Sequence, residues 1–345
     1  MAKRWTVRPE GSNWGEFGQD DQLGRLNLLT PERRRKAAEE VREGFAFCLS
    51  LPLNCPATVL NPRRFPPQIS YSMREEDPVM NFPMTRAVEG QTDVICDDRV
   101  LMSTQFSTQW DALCHIGSLF DGTESGEREA TYYNGYRAHA HVCGPFDYLR
   151  GRVGKEGPHG AHALGIETMA ETGVQGRGVM IDLYAHVGLE RVPVGYEQLM
   201  RILEQDKVVV EDGDILCFRT GYDRALLARY HDETAPFVAD HSTGLDGHDE
   251  RLLRWVDDSG CAALVSDNES VEVLQGSVNP GGEGTHYPLH HLCLFKLGIP
   301  LGELFLLSEL ADWLRAAGRS RFLFTAPPLR LPGAVGSPVT GVGTV

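Results

Sequence analysis

The sequence predicts an α/β protein in which helices flank a mixed β-sheet. Strand-like and helix-like segments follow one another along the 345 residues without strict alternation, which favours a mixed sheet over a purely parallel one. Short apolar runs predict buried strands at residues 178–185, 214–219 and 262–266. No linker-like composition divides the chain, so we expect one domain over residues 1–345, with residues 1–30 and the Gly-rich residues 334–345 as extensions.

The remaining elements are predicted from periodicity and from capping residues. Thr30 is a typical N-cap residue and Pro31 suits the first helical position, so we expect a helix from there to about Arg42. Gly298 is suited to ending a later helix. Further strands are predicted at residues 45–51, 100–107 and 321–326, and further helices at residues 196–205, 248–257, 289–297 and 305–317.

Residues 52–95 stand apart from these elements. They are rich in Pro, Asn, Arg and Met and have no clear periodicity, so we expect long loops with short strands. Long irregular segments in compact domains often carry function, and this one is expected to fold over a site.

Composition and charge exclude some classes of function. The formal net charge is −15 at pH 7, which argues against general affinity for nucleic-acid phosphates but leaves a small anionic substrate open, because a site can be locally basic. No apolar run approaches the roughly 20 residues that span a bilayer, and the N-terminal residues lack the apolar core of a signal peptide. We therefore expect a cytoplasmic protein that acts on a small molecule, with neither nucleic acid nor membrane as a partner.

The eight cysteines predict reduced, mostly buried thiols. None forms a C-x-x-C pair and most lie in apolar runs, which suits the cytoplasm better than a disulfide framework or a zinc cluster. Cys114 is an alternative nucleophile, but no separate base is evident beside it.

One segment concentrates side chains that can carry chemistry. The sequence has no Walker loop, no G-x-G-x-x-G after a strand, no H-E-x-x-H and no G-x-S-x-G elbow. In QFSTQWDALCH, residues 105–115, an extended backbone would place Gln105, Gln109 and Asp111 on one face, and His115 follows a turn later. These residues alone leave two interpretations open: a catalytic cluster, or a surface Asp–His pair with solvated glutamines.

Residues 105–115 resemble the signature H-x-G-T-H-x-D-x-P-x-H of the cyclase family, which includes kynurenine formamidases and isatin hydrolases. Thr108, Asp111 and His115 match the signature at the correct spacing. The sequence TQWD itself resembles a branch of proteins known simply as cyclase-like.

The segment also departs from the signature at four positions. Gln105 and Gln109 stand where the best-known members have two metal-binding histidines, and Ser107 and Leu113 replace a glycine and a proline. An amide oxygen is a poorer zinc ligand than imidazole. The metal therefore stays open between zinc, manganese and magnesium, and a metal-free site is a further alternative.

The resemblance extends over most of the chain. Residues 14–32, 132–135, 176–183, 211–222 and 290–310 resemble further family blocks in the same order. His291 and Glu303 are twelve residues apart, as are the second histidine and the glutamate ligand of the formamidases, and His290 is the alternative to His291. The resemblance implies a mixed sheet with a small barrel-like β layer and flanking helices, and a homodimer or homotetramer.

The family's chemistry implies a hydrolase of a non-peptide C–N bond. In the family a divalent metal activates water, which attacks the carbonyl of an amide, a formamide or a lactam. Carried over to this sequence, the metal ligands are Asp111, Gln109, Gln105, His291 and Glu303, and the catalytic residues are Asp111, Glu303 and His115, with His115 moving protons. Aromatic residues expected to line the substrate pocket are Trp14, Phe106, Trp110, Tyr132 and Tyr133.

Two other function classes compete with this hypothesis. A metal-independent cyclase or lyase would use Asp111 and His115 as an acid–base pair without consuming water. A non-catalytic binding protein would have lost its ligands at positions 105 and 109, but the presence of Asp111, His115, His291 and Glu303 argues against it.

Overall fold

A computed structural model of the chain describes residues 4–56, 60–154, 157–236, 242–275 and 283–345. Nine strands within these ranges form one curled, mixed sheet. In chain order they are β1 (Ala46–Cys48), β2 (Gln109–Asp111), β3 (Gln175–Asp182), β4 (Ile215–Arg219), β5 (Ala263–Ser266), β6 (Leu301–Glu303), β7 (Arg321–Thr325), β8 (Gly336–Pro338) and β9 (Val342–Thr344). The order across the sheet is β1-β9-β7-β3-β4-β5-β6-β2-β8. The predicted mixed α/β class is confirmed.

The centre of the sheet is parallel and both flanks are antiparallel. Strands β3 to β6 run parallel to one another, and the other neighbours pair antiparallel. Every residue of β4 and β5 is buried, as is typical of parallel strands that have helices on both faces. The three predicted buried strands are therefore confirmed, with ends displaced by up to three residues.

The α-helices of the described ranges are α1 (Pro31–Ala38), α2 (Ile166–Thr172), α3 (Tyr184–Val187), α4 (Tyr196–Gln205), α5 (Tyr222–His231), α6 (Glu250–Asp258), α7 (Pro288–His290) and α8 (Ser308–Ala316). Short 3₁₀ turns occur at Gly24–Leu28, Met84–Arg86 and Tyr133–Gly135. The predicted bounds of α4 are confirmed. Thr30 caps α1 through a hydrogen bond from the Arg33 amide, although this helix ends at Ala38 and not near Arg42.

The predicted helix over residues 305–317 begins later than its apolar periodicity indicates. The amide of Phe305 still donates to the Ser266 carbonyl, in continuation of the sheet. Asp223 then accepts hydrogen bonds from the amide and the hydroxyl of Ser308, which satisfies free donors at the start of α8.

Helix α7 continues without a break into a π-helix, His291–Leu297. Gly298 ends it with a φ of 62°, as predicted. A Cβ at position 298 would lie 2.7 Å from Gly24 Cα and 2.8 Å from the Tyr133 ring. Only glycine therefore allows the N-terminal segment to approach so closely.

The described parts of the two predicted extensions pack into the core and do not extend away from it. Trp14, Leu26 and Leu29 are buried in the main hydrophobic cluster. The Gly-rich residues 334–345 contribute β8 and β9, and Val345 is fully buried. Their low periodicity hides this role, since backbone pairing and not a run of apolar side chains holds them in place.

Residues 60–104 form short paired strands at the surface. Gln68–Tyr71 pairs with Asp98–Leu101, and smaller pairs join Met73–Arg74 to Asp77–Pro78 and Phe82–Pro83 to Val94–Ile95. Other two-stranded pairs join Ser118–Phe120 to Glu129–Thr131, Val142–Cys143 to Gly160–Ala161, Phe146–Asp147 to Arg152–Val153, and Pro193–Val194 to Gly244–Leu245. The strand predicted at 100–107 is wrong: a turn closed by the Ser103 carbonyl and the Phe106 amide interrupts it. None of the described helices is long and apolar enough to span a membrane.

Candidate active site

Strand β2 presents two polar side chains on one face and a tryptophan on the other. It lies between β6 and β8, with Asp111 opposite Leu301 and Gly336. Because side chains alternate along a strand, Gln109 and Asp111 point the same way and Trp110 points the opposite way. Trp110 is fully buried, donates from Nε1 to the Ala326 carbonyl, and packs edge-on against core aromatics. The expectation that Trp110 lines the substrate pocket is therefore wrong.

Asp111, His290 and Glu303 converge on one buried point. One oxygen of each carboxylate and one ring nitrogen of the histidine all lie within 4.8 Å of one another. The register of β6 places Glu303 opposite Gln109, whose Nε2 donates to Glu303 Oε2 at 2.7 Å. His290 Nε2 lies 3.2 Å from Glu303 Oε1.

A second glutamate holds His290 from behind. Glu272 Oε1 lies 2.7 Å from His290 Nδ1 and also accepts from the His290 amide, while Glu272 Oε2 accepts from the Leu289 amide. A carboxylate on one imidazole nitrogen is the usual arrangement when the other nitrogen is a metal ligand. Sequence reasoning missed Glu272, since nothing in the residues around it marks it as a partner of a histidine that lies 18 positions further on.

His290, and not His291, faces this cluster, which corrects the expectation based on spacing. His291 is half-buried, and its ring packs on Phe295 with 5.0 Å between centroids. Burial and the charge of Lys296 lower the pKa of His291 to about 4. Neighbouring residues on a helix point roughly 100° apart, so only one of the two histidines can reach the site.

Gln105 joins Asp111 to His115. Its Nε2 donates to Asp111 Oδ1 at 3.0 Å and lies 2.8 Å from His115 Nδ1. Since a carboxylate only accepts hydrogen bonds, the amide nitrogen of Gln105 must face Asp111. A metal ligand would instead direct its amide oxygen to this point, so Gln105 is not arranged as the expected ligand. The convergence of Gln105, Asp111 and His115 was predicted, but the turn at residues 103–106 produces it and not one extended strand.

The closely spaced charges perturb one another. Burial and the charge of Asp111 raise the pKa of Glu303 to about 7, against the opposing effects of His290 and Arg64. Burial alone would lower the pKa of His290, but the bonds to Glu272 and Glu303 raise it to about 10. For His115, burial lowers the pKa, the charge of Asp111 partly offsets this, and His290 and Arg64 reinforce it.

Two buried oxygens at the centre of this cluster lack hydrogen-bond donors. Asp111 Oδ2 and Gln109 Oε1 are both buried and accept no hydrogen bond from the described residues. Unpartnered buried oxygens are costly. Together with Glu303 and with His290, which Glu272 supports, they form a donor set of carboxylate, amide and imidazole atoms that fits a divalent cation.

The family model described as "Putative cyclase" matches residues 49–273, well over half of the chain. This protein is a member of the cyclase family. The match includes β2, Gln105, His115 and Glu272, while His290 and Glu303 lie beyond its end.

Solved structures resemble this cyclase-family protein along nearly its whole length. A crystal structure described as a novel cyclase is 28% identical, covers 97% of this chain and 99% of its own, and has a TM-score of 0.71. Isatin hydrolase A from Ralstonia solanacearum is 16% identical over 89% of this chain and 93% of its own, with a TM-score of 0.54. Isatin hydrolase A from Labrenzia aggregata, bound to benzyl benzoate, is 14% identical over 89% of this chain and 94% of its own, with a TM-score of 0.53. The comparison with curated proteins found no match.

The expected aromatic pocket is only partly brought to the site of this family member. Trp14 is buried against Phe295, to whose carbonyl its Nε1 donates, and Tyr133 is buried against Gly298, so both belong to the core and not to the pocket. Phe106 follows Gln105 and is buried outside both core clusters, whereas the half-buried Tyr132 packs against the main core cluster and at Gly117. Sequence reasoning missed Tyr287, whose ring centroid lies 5.8 Å from that of His290.

Cys114 is not arranged as a nucleophile in this cyclase-family site. Its thiol is buried, it contacts the Leu164 carbonyl at 3.1 Å, and burial raises its pKa to about 12. The reactive thiolate is therefore scarce near neutrality.

Proposed function

We propose that this protein hydrolyses a non-peptide C–N bond, in an amide, a formamide or a lactam, with a divalent cation held by Asp111, His290 and Glu303. The observation that carries the proposal is the pair of unpartnered buried oxygens, Asp111 Oδ2 and Gln109 Oε1, beside a histidine that Glu272 supports. Three buried carboxylates, those of Asp111, Glu272 and Glu303, have His290 as their shared cationic partner. The excess of negative charge is unfavourable in a buried site, and a cation at this point would offset it.

The donor atoms suggest which cation fits. Two carboxylates, an amide oxygen and a single imidazole form an oxygen-rich set, which favours manganese over zinc, with magnesium as the next alternative. When bound, such a cation lowers the pKa of water and polarises the substrate carbonyl. Gln109, anchored through its nitrogen on Glu303, keeps its oxygen directed to the same point.

The protein's own residues supply proton transfer. In the proposed reaction the water oxygen bonds to the carbonyl carbon, the C–N bond breaks, and one proton passes from the water to the leaving nitrogen. His115 is suited to carry it, because its Nε2 lies 3.7 Å from Asp111 Oδ2 and the lowered pKa keeps the ring neutral and able to accept a proton. Gln105, bonded to Nδ1, holds the ring in this orientation.

The substrate is proposed to be small, and the functional unit a homodimer or a homotetramer. Phe106, which follows Gln105, and Tyr287, whose ring lies beside His290, are the aromatic residues proposed to contact a ring-containing substrate. Support for the oligomer comes from the surface pair of strands 68–71 and 98–101, where Ile69 is 74% exposed and Val100 58% exposed. A two-stranded ribbon with both faces exposed is marginally stable by itself.

Metal content and product mass test the function together. The protein is purified without chelator, its metals are counted by plasma mass spectrometry, and it is incubated with N-formyl aromatic amines and with lactams. We expect near-stoichiometric metal, a ring-opened product heavier by one water from each lactam, and formate plus the free amine from each N-formyl amine. The variants Asp111→Asn and Glu303→Gln should lose the metal, whereas Asp98→Asn, an exposed control, should keep it. Chelator-insensitive turnover without water uptake would instead indicate the metal-independent cyclase or lyase.

A further inference from the structure

Arg64 lies beside the candidate site but has no part in the proposed cation site or in the proton transfer. It stands in the irregular segment before the first surface strand, and its Nη1 donates to the Gln105 carbonyl at 2.8 Å. The side chain of the same Gln105 bonds to Asp111 and His115. One residue therefore separates the guanidinium from the reacting groups.

The guanidinium of Arg64 has donors to spare. No carboxylate of the described residues lies within the 4.0 Å of an ion pair with it, and its only side-chain hydrogen bond to them is the one to Gln105. Other shielded arginines of this chain are paired: Arg25 with Asp257, Arg177 with Asp214, and Arg219 with Asp182. A half-buried arginine without an ion-pair partner costs free energy. The lack of a partner is notable, because a chain of net charge −15 has many carboxylates that could provide one.

Arg64 and His115 are more exposed than the three residues of the buried cluster. Asp111, His290 and Glu303 are buried, whereas the His115 side chain is 23% exposed and Arg64 is half-buried. The positive charge of Arg64 acts on the site, since it contributes to lowering the pKa of both His115 and Glu303. Gln105 thus has the guanidinium at its backbone carbonyl and the partly exposed His115 at its side chain.

We propose that Arg64 binds an anionic group of the substrate, so that the natural substrate is an amide, formamide or lactam that carries a carboxylate near the bond to be cleaved. The planar fork of arginine suits a carboxylate, which it can bind through two parallel hydrogen bonds. The net negative charge of the chain does not prevent binding of an anion, because the unpaired guanidinium provides a positive charge beside the site. This assignment rests on the proposed hydrolysis, whose substrate class it narrows.

A matched pair of substrates tests the proposal. N-formylanthranilate carries a carboxylate beside the formamide, and N-formylanthranilamide is its neutral counterpart. We expect the wild-type protein to prefer the anion and Arg64→Gln to reduce that preference, as a ratio of kcat/KM values, by about 10- to 100-fold, mainly through KM. Arg64→Lys should restore part of it, and Arg63→Gln, a neighbouring exposed arginine, should leave the ratio unchanged.

The same variants separate this inference from failure of the proposed function. Equal loss of kcat/KM for both substrates in Arg64→Gln would mean that Arg64 only positions Gln105, and would overturn the inference. If neither substrate is hydrolysed, isothermal titration with benzoate and benzamide decides independently of turnover. Weaker benzoate binding in Arg64→Gln but not in Arg63→Gln supports the anion site, and equal binding in all three proteins overturns it.

Discussion

Gly336 lies directly opposite Asp111 in the antiparallel pair of β2 and β8, and its missing side chain makes room for Gln105. A Cβ at position 336 would lie 2.9–3.0 Å from the Cγ, Cδ and Nε2 atoms of Gln105. These are the atoms that place the amide between Asp111 and His115. Strand β8 therefore shapes the site although it contributes no polar side chain to the cluster.

Gly336→Ala should lower activity with little loss of stability. The added methyl group displaces the flexible end of Gln105, so the bonds to Asp111 and His115 weaken, and we expect kcat to fall about 3- to 10-fold, the worth of about one neutral hydrogen bond. The control is Gly144→Ala, at a glycine with open space around its Cβ position. Steady-state kinetics and thermal melts measure both effects, and an unchanged kcat in Gly336→Ala would contradict the assigned role of Gln105.

The two adjacent histidines should behave oppositely. His290→Ala removes a proposed ligand, so we expect the metal to be lost and activity to fall at least about 100-fold. His291→Ala removes a ring that packs on Phe295, so we expect retained metal and a modest drop in melting temperature. Metal counting and kinetics on both variants provide the comparison, and metal loss in His291→Ala alone would restore the assignment based on spacing.

Glu272→Gln should weaken cation binding without removing a ligand. The carboxylate orients His290 and makes its Nε2 a stronger metal ligand. Loss of such support usually reduces metal affinity about 10- to 100-fold. The affinity is measured by competition with a metal-sensitive dye. Glu309→Gln, an exposed glutamate on α8, is the control. Identical affinities in the two variants would argue against a cation on His290.

Stability should depend on pH through Glu211, away from the site. Hydrogen bonds from Arg177 and Lys36 lower the pKa of Glu211 from 4.5 to about 2. A depressed pKa stabilises the fold above the unfolded-state value, and this contribution disappears as the pH falls through the folded-state value. Glu211→Gln should therefore be less stable than wild type at pH 6, and the difference should narrow as the pH falls from 4.5 toward 2.

Urea unfolding of wild type and Glu211→Gln across this pH range measures the effect. The side chain is 40% exposed, so solvent screening keeps the difference small. Glu204→Gln, another exposed glutamate, should show no such pH-dependent difference. A gap between wild type and Glu211→Gln that stays constant down to the acid limit would rule out this linkage.

Much of the site could be predicted because its residues are close together in the chain. Gln105, Gln109, Asp111 and His115 fall within one short segment, so a turn followed by a short strand is enough to bring their side chains together. Glu303 was accessible only through the family resemblance. Glu272 was not accessible at all, since a buried carboxylate that bonds to a distant histidine leaves no local pattern.

The sequence by itself determined the mixed α/β class, the buried strands, the cap at Thr30 and the end of a helix at Gly298, because periodicity and capping are local properties. The tertiary structure alone decided that His290 and not His291 faces Glu303, that Trp14, Trp110 and Tyr133 are core residues, and that the Gly-rich C-terminus completes the sheet beside Asp111. Each of these depends on the direction in which a side chain points or on the register between distant strands. Long-range packing sets both, since a rotation of one helix position or a shift of one strand position exchanges the buried and the exposed face.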